Sequence, residues 1–298
     1  MKKHLLALAV TVLAAGSALA QASDTLAKIG ERGAVNLGVR DSSGLAFTLG
    51  NGKYVGFHTE MAERIVDDLG EKLGKPLKIN YQVITSQNRV PLLQNGTIDF
   101  ECGSTTNNRA RQKDVDFAVT TYVEEVRILT KANSGIQSIQ DLKGKTVATT
   151  TGTTSVQTLR KNKRAEGLEF KEIMGKDHAD SFLLLESGRA DAFVMDGSIL
   201  AANAAKSKNP SDYKMVGEVL SVEPIACMLP KGDTKLKEAV DASIKRQIAD
   251  GSLAKLYDKW FMQPIPPTNT SLNLPASKST QAAWANPNNK PMEDYAVE

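Results

Sequence analysis

Apolar and polar positions along this chain fall into two alternating periods. Ala34 to Val39 reads as a strand, and Met61 to Leu73 reads as a helix, with Met61, Ile65, Leu69 and Leu73 at four-residue spacing. Leu77 to Val83 alternates apolar and polar side chains as a strand does. Gln87 to Gln94 is a short helix stopped by Asn95-Gly96, and Ile98 to Cys102 is the next strand. The alternation resumes after residue 140. Strands are expected at Thr146 to Thr149, Phe170 to Ile173 and Ala192 to Met195, with helices at Thr153 to Lys163 and Ala179 to Glu186 between them. Such βα alternation predicts an α/β fold of mostly parallel sheets covered by helices on both faces.

An internal similarity divides this pattern in two. Leu92-Leu93-Gln94-Asn95-Gly96-Thr97-Ile98-Asp99-Phe100 resembles Leu184-Leu185-Glu186-Ser187-Gly188-Arg189-Ala190-Asp191-Ala192-Phe193. Each reads as a helix end, a glycine stop, an aspartate turn and a buried strand. The copies lie too far apart for a solenoid and fit two similar lobes. Tyr122 to Lys131 and Val219 to Leu229 are β-rich runs without helical period, one leading out and one back. They predict a discontinuous lobe one, residues 21–123 and 228–298, with lobe two, residues 124–227, inserted between two β crossovers. Helices near Leu236 to Ile248 and Leu253 to Trp260 return to lobe one. Beyond Gln263 the Pro/Asn/Ser-rich chain is expected to run over the surface as a tail.

The N-terminus changes the compartment. Lys2 and Lys3 precede an apolar run, Leu5 to Ala15, and Ala18-Leu19-Ala20 supplies a small-x-small cleavage pattern. Residues 1–20 therefore read as an export signal, with a cut after Ala22 as the alternative. A span of the bilayer needs roughly 20 apolar residues, more than this run offers. Cleavage removes two lysines and no acid, leaving 35 bases against 34 acids on 278 residues. That near-neutral balance gives no support to a nucleic-acid or anionic-membrane partner. In an oxidising compartment the two cysteines, Cys102 and Cys227, are most simply a disulfide, the alternative being two buried free thiols. No CxxC occurs, and only His58 and His178 remain after cleavage, so no metal site is expected.

Catalytic motifs are missing. Gly144-Lys145-Thr146 looks like the end of a phosphate loop, but Ile139 stands where that loop needs glycine, and the triplet precedes a strand. There is no HExxH, GxSxG or GxGxxG. What the chain does offer is donors at predicted strand ends and helix starts. Arg40 follows the first strand. Thr85-Ser86-Gln87-Asn88-Arg89 opens a helix. Cys102-Gly103-Ser104-Thr105-Thr106-Asn107-Asn108 follows a strand, with Arg111 one turn on. Thr151-Gly152-Thr153-Thr154-Ser155 precedes a helix in lobe two. Ligands in open α/β sheets bind beyond the carboxyl ends of the strands, and helix starts bearing small hydroxyl residues suit anions. Singly, each signal has a plain reading: Ser and Thr cap helices, arginines are solvated, His178 lies in a helix cap, and Asp196 caps the next helix near Ser198. Together, three arginines and one counter-carboxylate, all on the predicted cleft side, carry more weight than any one signal.

At these residues the sequence resembles the type II periplasmic solute-binding proteins of ABC amino-acid importers (family 3), and within them the glutamate/aspartate branch. The likeness is carried by the run Ile84 to Thr97, by Asp99-Phe100-Glu101-Cys102-Gly103-Ser104-Thr105-Thr106-Asn107-Asn108 and by Lys176-Asp177-His178. Leu185-Glu186-Ser187-Gly188-Arg189-Ala190, Trp260-Phe261 and Pro264-Ile265-Pro266-Pro267 add to it. The resemblance implies two α/β lobes joined by two β crossovers, a Cys102–Cys227 disulfide, a periplasmic monomer, no cofactor, and docking on an inner-membrane ABC permease. It implies L-glutamate or L-aspartate as ligand. By the same resemblance Arg111 holds the α-carboxylate with Ser104, Thr106 and Thr154, and Asp196 holds the α-ammonium. Arg40, Ser86, Arg89 and His178 hold the side-chain carboxylate. Val123-Glu124-Glu125-Val126 departs from the family's usual pattern, placing two adjacent acids near the first crossover. Two other readings stand beside this one. An enzyme on the same fold, a dehydratase or a peptidoglycan-cleaving enzyme, would need a catalytic acid in the cleft, with Glu101 and Glu223 as candidates. A chemoreceptor-coupled sensor would bind the same ligand.

Overall fold

In the computed structural model, which describes residues 24–296, lobe one begins with α1 (Thr25–Arg32) and β1 (Ala34–Val39). A small hairpin of β2 (Phe47–Gly50) and β3 (Lys53–Val55) leads into α2 (Phe57–Leu73), followed by β4 (Lys78–Val83), α3 (Arg89–Gln94), β5 (Phe100–Glu101) and β6 (Val115–Phe117). The first crossover is β7 (Tyr122–Lys131). Then come β8 (Thr146–Thr150), α4 (Thr154–Ala165), β9 (Lys171–Gly175), α5 (His178–Glu186), β10 (Ala192–Asp196) and α6 (Gly197–Lys206). The return crossover is β11 (Tyr213–Ile225), leading to β12 (Met228–Pro230), α7 (Thr234–Ala249), α8 (Ser252–Tyr257), a π-helical turn (Asp258–Met262) and α9 (Lys278–Ala285). The export signal expected over residues 1–20 lies outside the described residues. Among the described residues no helix is long and apolar enough to cross a membrane.

Two five-stranded sheets result, in the orders β4-β1-β5-β12-β6 and β11-β7-β10-β8-β9. The expectation of mostly parallel sheets holds only where βα units build them: β1 is parallel to β4 and β5, and β8 is parallel to β9 and β10. The crossovers run out and back, so β11, β7 and β10 pair antiparallel, as do β12, β5 and β6. The internal similarity has a structural counterpart. The Asp99 side chain accepts from Asn36 N at 2.7 Å beside β1, and Asp191 accepts from Thr146 N at 2.8 Å at the start of β8. Gly96 and Gly188, at φ 75° and 74°, make the same left-handed stop before each aspartate.

Helix α2 starts four residues earlier than its apolar period suggested. Phe57 is fully buried and extends the stripe of Met61, Ile65 and Leu69 back by one turn. Full burial of a side chain of that size stabilises by about 1.5–3 kcal/mol. Around it lies an aromatic core: Tyr257 and Phe261 stack at 4.2 Å, and Tyr122 stacks on both, anchoring the first crossover in lobe one. Cys102 and Cys227 are bonded and buried in this core, closing 125 residues of chain. Loop-closure entropy makes that link worth about 4–5 kcal/mol.

The chain beyond Gln263 is not a loose surface tail. Ile265 and Leu272 are buried in the lobe-one core. Helix α9 lies on β7: Thr280 bonds both Val123 N and Val123 O, and Trp284 Nε1 donates to Thr121 O at 2.8 Å. Asn288 O accepts from Thr120 N at 2.7 Å. Buried Ala283 packs with Val123 of β7 and Val222 of β11, so the segment covers both crossovers. Apolar residues spaced singly among Pro, Asn and Ser carry no period, which hid this packing from the sequence.

Candidate functional site

The strand ends and helix starts that offered donors in the sequence converge where the two lobes meet. Arg40 leaves the end of β1, and Ser86 and Arg89 lie at the start of α3. Ser104, Thr106 and Arg111 follow β5. Thr154 opens α4, His178 opens α5, and Asp196 ends β10.

Arg40 is 1% exposed, and its Nη2 donates to Ser86 Oγ at 3.1 Å and to His178 Nε2 at 2.7 Å. A guanidinium only donates, so His178 Nε2 is the acceptor and the ring proton sits on Nδ1, facing Thr150 Oγ1 at 3.1 Å. Burial first, then the Arg40 and Arg89 charges, hold His178 well below the usual histidine pKa, which agrees with a neutral ring. Arg89 is 2% exposed and donates from Nη1 to Ser104 O at 3.1 Å and Thr105 Oγ1 at 2.7 Å. Arg111 Nη1 donates to Thr106 O at 2.8 Å, and its Nη2 reaches across to Gly152 O at 3.4 Å. Burial, reinforced by Arg89, pulls the Arg40 and Arg111 guanidinium groups down to about 10 and about 9, so both remain charged near neutrality.

Among the described residues, none of these three arginines has a carboxylate within ion-pair distance. Arg40 Nη1, Arg89 Nε, Ser104 Oγ and Asp196 Oδ1 are buried without a hydrogen-bond partner. Asp196 occupies the N-cap position of α6 yet makes no side-chain cap bond, so capping does not explain it. Buried charges and polar groups left in this way are costly, and they cluster where a ligand completes them.

The sequence counted one counter-carboxylate, and the structure brings three more to the cleft. Glu101 accepts from Gly103 N at 2.6 Å and from the Thr105 hydroxyl beneath Arg40. Glu223, on β11, accepts from Thr106 Oγ1 and Thr154 Oγ1 at 2.6 Å each, so one carboxylate holds a hydroxyl from each lobe. Glu124, on β7, accepts from Ser198 N. The sequence named Glu101 and Glu223 only as acids an enzyme would need, and Glu124 only as a departure from the family pattern. Glu101 is held locally by Gly103 and Thr105, whereas the roles of Glu124 and Glu223 depend on pairing between strands about a hundred residues apart. His58 is the other histidine and is structural: its Nδ1 donates to Gly103 O at 2.6 Å, and burial lowers its pKa to about 4.

The lobes are in contact. Thr106 Oγ1 lies 3.2 Å from Thr154 Oγ1. A Cβ added to Gly44 would sit 2.3 Å from Ser198 O, and one added to Gly152 would sit 2.8 Å from the Gln87 backbone. The molecule is therefore in a closed arrangement, with glycine at both points of closest approach.

Comparison with known proteins matches residues 35–263 to bacterial extracellular solute-binding proteins, family 3. The chain is 42% identical over 290 residues to the L-glutamate/L-aspartate-binding protein of Pseudomonas aeruginosa, covering 96% of each chain. It is 43% identical over 293 residues to the glutamate/aspartate import solute-binding protein of Escherichia coli strain K12, covering 95% of this chain and 97% of that one. Among solved structures, a mutant of ArgBP from T. maritima superposes with a TM-score of 0.71 at 28% identity, covering 80% of this chain and all of that one.

Proposed function

This chain belongs to family 3 of the bacterial extracellular solute-binding proteins, and on that premise we propose that it captures L-glutamate or L-aspartate between its lobes. The observation that carries the reading is the set of three guanidinium groups in the cleft with no carboxylate within ion-pair distance among the described residues. A ligand with two carboxylates and one ammonium supplies what they and Asp196 lack. In this reading Arg111, Ser104, Thr106 and Thr154 take the α-carboxylate, and Asp196 takes the α-ammonium. Arg40, Ser86 and Arg89 take the side-chain carboxylate. His178 serves that clamp through Arg40, because both its ring nitrogens face protein partners. Lobe one comprises residues 21–123 and 228–298, and lobe two residues 124–227. Ligand contacts from both favour the closed form, which delivers its load from the periplasm, as a monomer, to an inner-membrane ABC permease.

Glu101 and Glu223, the acids an enzyme on this fold would call on, are each engaged as acceptors by protein hydroxyls. That use supports binding over catalysis. Calorimetry on ligand-free protein tests the ligand directly. Glutamate and aspartate should bind tightly, glutamine more weakly for want of a charge-assisted pair, and arginine not at all, since its side chain would meet Arg40 and Arg89. Arginine binding as tight as glutamate would overturn the assignment.

A further inference from the structure

Strand register places three carboxylates on one face of the second sheet. Glu223 of β11 stands directly opposite Glu124 of β7. On the other side of β7, Asp196 of β10 stands opposite Val126, two residues from Glu124. Side chains two apart on a strand share a face, so Glu223, Glu124 and Asp196 form a row across three neighbouring strands. Directly opposed side chains have Cβ atoms about 5 Å apart and diagonal ones about 7–8 Å, and like charges in such pairs repel. Glu124 and Glu223 are fully buried, and Asp196 is 2% exposed.

The three are not equally provided for. Glu223 accepts three hydroxyl bonds, from Thr106, Thr154 and Ser221, which suits a charged carboxylate. Glu124 receives Ser198 N at a long 3.2–3.3 Å and the neutral Tyr122 hydroxyl, and no charged donor. The groups facing it are Tyr122 on its own strand, Tyr257 of α8, Glu223 of β11 and Asp196 of β10, and none is a cation. Arg127, the nearest basic residue along β7, pairs with Glu125 on the opposite face. Asp196 feels Arg89 and Arg111 across the cleft, but its Oδ1 is buried without a partner.

We propose that Glu124 is a second carboxylate of the ammonium-binding site, and that in the empty protein it shares with Asp196 one proton that ligand binding expels. The proposal rests on the ligand reading above. An α-ammonium seated on Asp196 brings the positive charge that the row lacks. The ligand enters as ammonium and stays so, both carboxylates become anionic, and the shared proton passes to solvent buffer. The titration behaviour agrees with the geometry. Burial pushes Glu124 up to about 8, with Glu223 adding to it. Burial, then Glu124 and Glu223, raise Asp196 well above the usual carboxylate range. Glu124 therefore favours holding the proton at neutral pH until a cation arrives, and Asp196 is shifted in the same direction. The consequence is that capture strengthens with pH across a range where free glutamate does not change charge.

Calorimetric titration of glutamate into ligand-free protein, in buffers of different ionisation enthalpy, reads the proton directly. At pH 7 about one proton should be released per ligand, and affinity should rise about tenfold per pH unit between roughly pH 6 and 8. In Glu124→Gln both the release and the slope should vanish while binding remains measurable. Buffer-independent heats in the wild-type protein, or the same release in Glu124→Gln, would overturn the proposal. Carbon-13 detection of side-chain carboxyl groups in the ligand-free wild-type protein needs neither ligand nor variant. One carboxyl should titrate well above pH 6, and a set that all titrate below it would also overturn the shared proton. A high-titrating carboxyl in a protein that binds neither glutamate nor aspartate would uphold the shared proton and refute the ligand reading instead.

Discussion

Replacing Gly44 by alanine should leave the fold intact and block closure. Gly44 lies outside the left-handed region, so alanine brings no backbone strain in lobe one. What the new Cβ meets is the other lobe: Ser198 O at 2.3 Å, Ser198 C at 2.4 Å and Ile199 N at 2.9 Å. Carbon–oxygen contacts settle near about 3.3 Å, so the lobes must part by about 1 Å at this point. That displacement takes the 2.7 Å Arg40–His178 contact beyond hydrogen-bond length, and the 3.2 Å Thr106–Thr154 and 3.4 Å Arg111–Gly152 contacts with it. At about 1 kcal/mol for each contact, the closed form loses about 3 kcal/mol, which is roughly a hundredfold in ligand affinity. Calorimetry would measure the loss. Small-angle scattering would show a liganded variant failing to contract as the wild-type protein does, at unchanged ligand-free melting temperature. Wild-type affinity with normal contraction would refute the reasoning, because the Gly44–Ser198 approach would then not limit closure.

Arg40→Ala should lose glutamate affinity by about 3–5 kcal/mol, as expected when one partner of a buried charge pair is deleted, and should lose much less with glutamine. Arg111→Ala should weaken both ligands alike, and calorimetry of the two variants with the two ligands separates the clamps. Below its ordinary pKa of about 6.5, His58 takes a proton in the unfolded chain that the folded site refuses down to about 4. Its contribution is therefore complete above pH 6.5 and declines toward pH 4, by about 3 kcal/mol in all. Urea unfolding of His58→Gln should show a shallower acid limb, and an unchanged limb would assign the acid sensitivity elsewhere. Truncation after Leu274 removes the partners of Thr120, Thr121 and Val123 and uncovers Val222. At about 1 kcal/mol per lost hydrogen bond plus the lost apolar burial, it should destabilise by about 3–5 kcal/mol, read as a lower urea midpoint.

Elements defined by local period were legible in the sequence. The β1 and β7 bounds, and the helices ended by glycine or asparagine, follow from patterns a few residues long. The gathering of Arg40, Arg89, Arg111, His178 and Asp196 was legible because strand ends and helix starts have a fixed place in an α/β sheet. What the site adds was not. The row of Glu223, Glu124 and Asp196 depends on the register of β11 against β7, which shifts between Val216 and Ser221, and no local rule sets that shift. His178 looked like a helix-cap residue, and its acceptor role needs Arg40, 138 residues away in the chain. The C-terminal packing failed for a related reason. Thr280, Ala283 and Trp284 meet β7 from a short helix whose sequence resembles that of a surface segment.

The unpartnered groups of the cleft also decide how closure is driven. Arg40 Nη1, Arg89 Nε, Ser104 Oγ and Asp196 Oδ1 are cut off from water when the lobes meet, and the protein offers them nothing in return. At about 1–3 kcal/mol for each unmet group, they disfavour an empty closed form by an amount of the same order as the roughly 5.5 kcal/mol that separates a 1:99 from a 99:1 population. A ligand that meets them gains most of its contacts only in the closed state, and this differential, not the total number of contacts, sets the population shift. The contacts between lobes that need no ligand, chiefly Arg40 to His178, Thr106 to Thr154, Arg111 to Gly152 and Glu223 to a hydroxyl from each lobe, offset only part of that cost. They guide closure without driving it, so a solute that brings neither a carboxylate nor an ammonium leaves the lobes apart even when it fits the space.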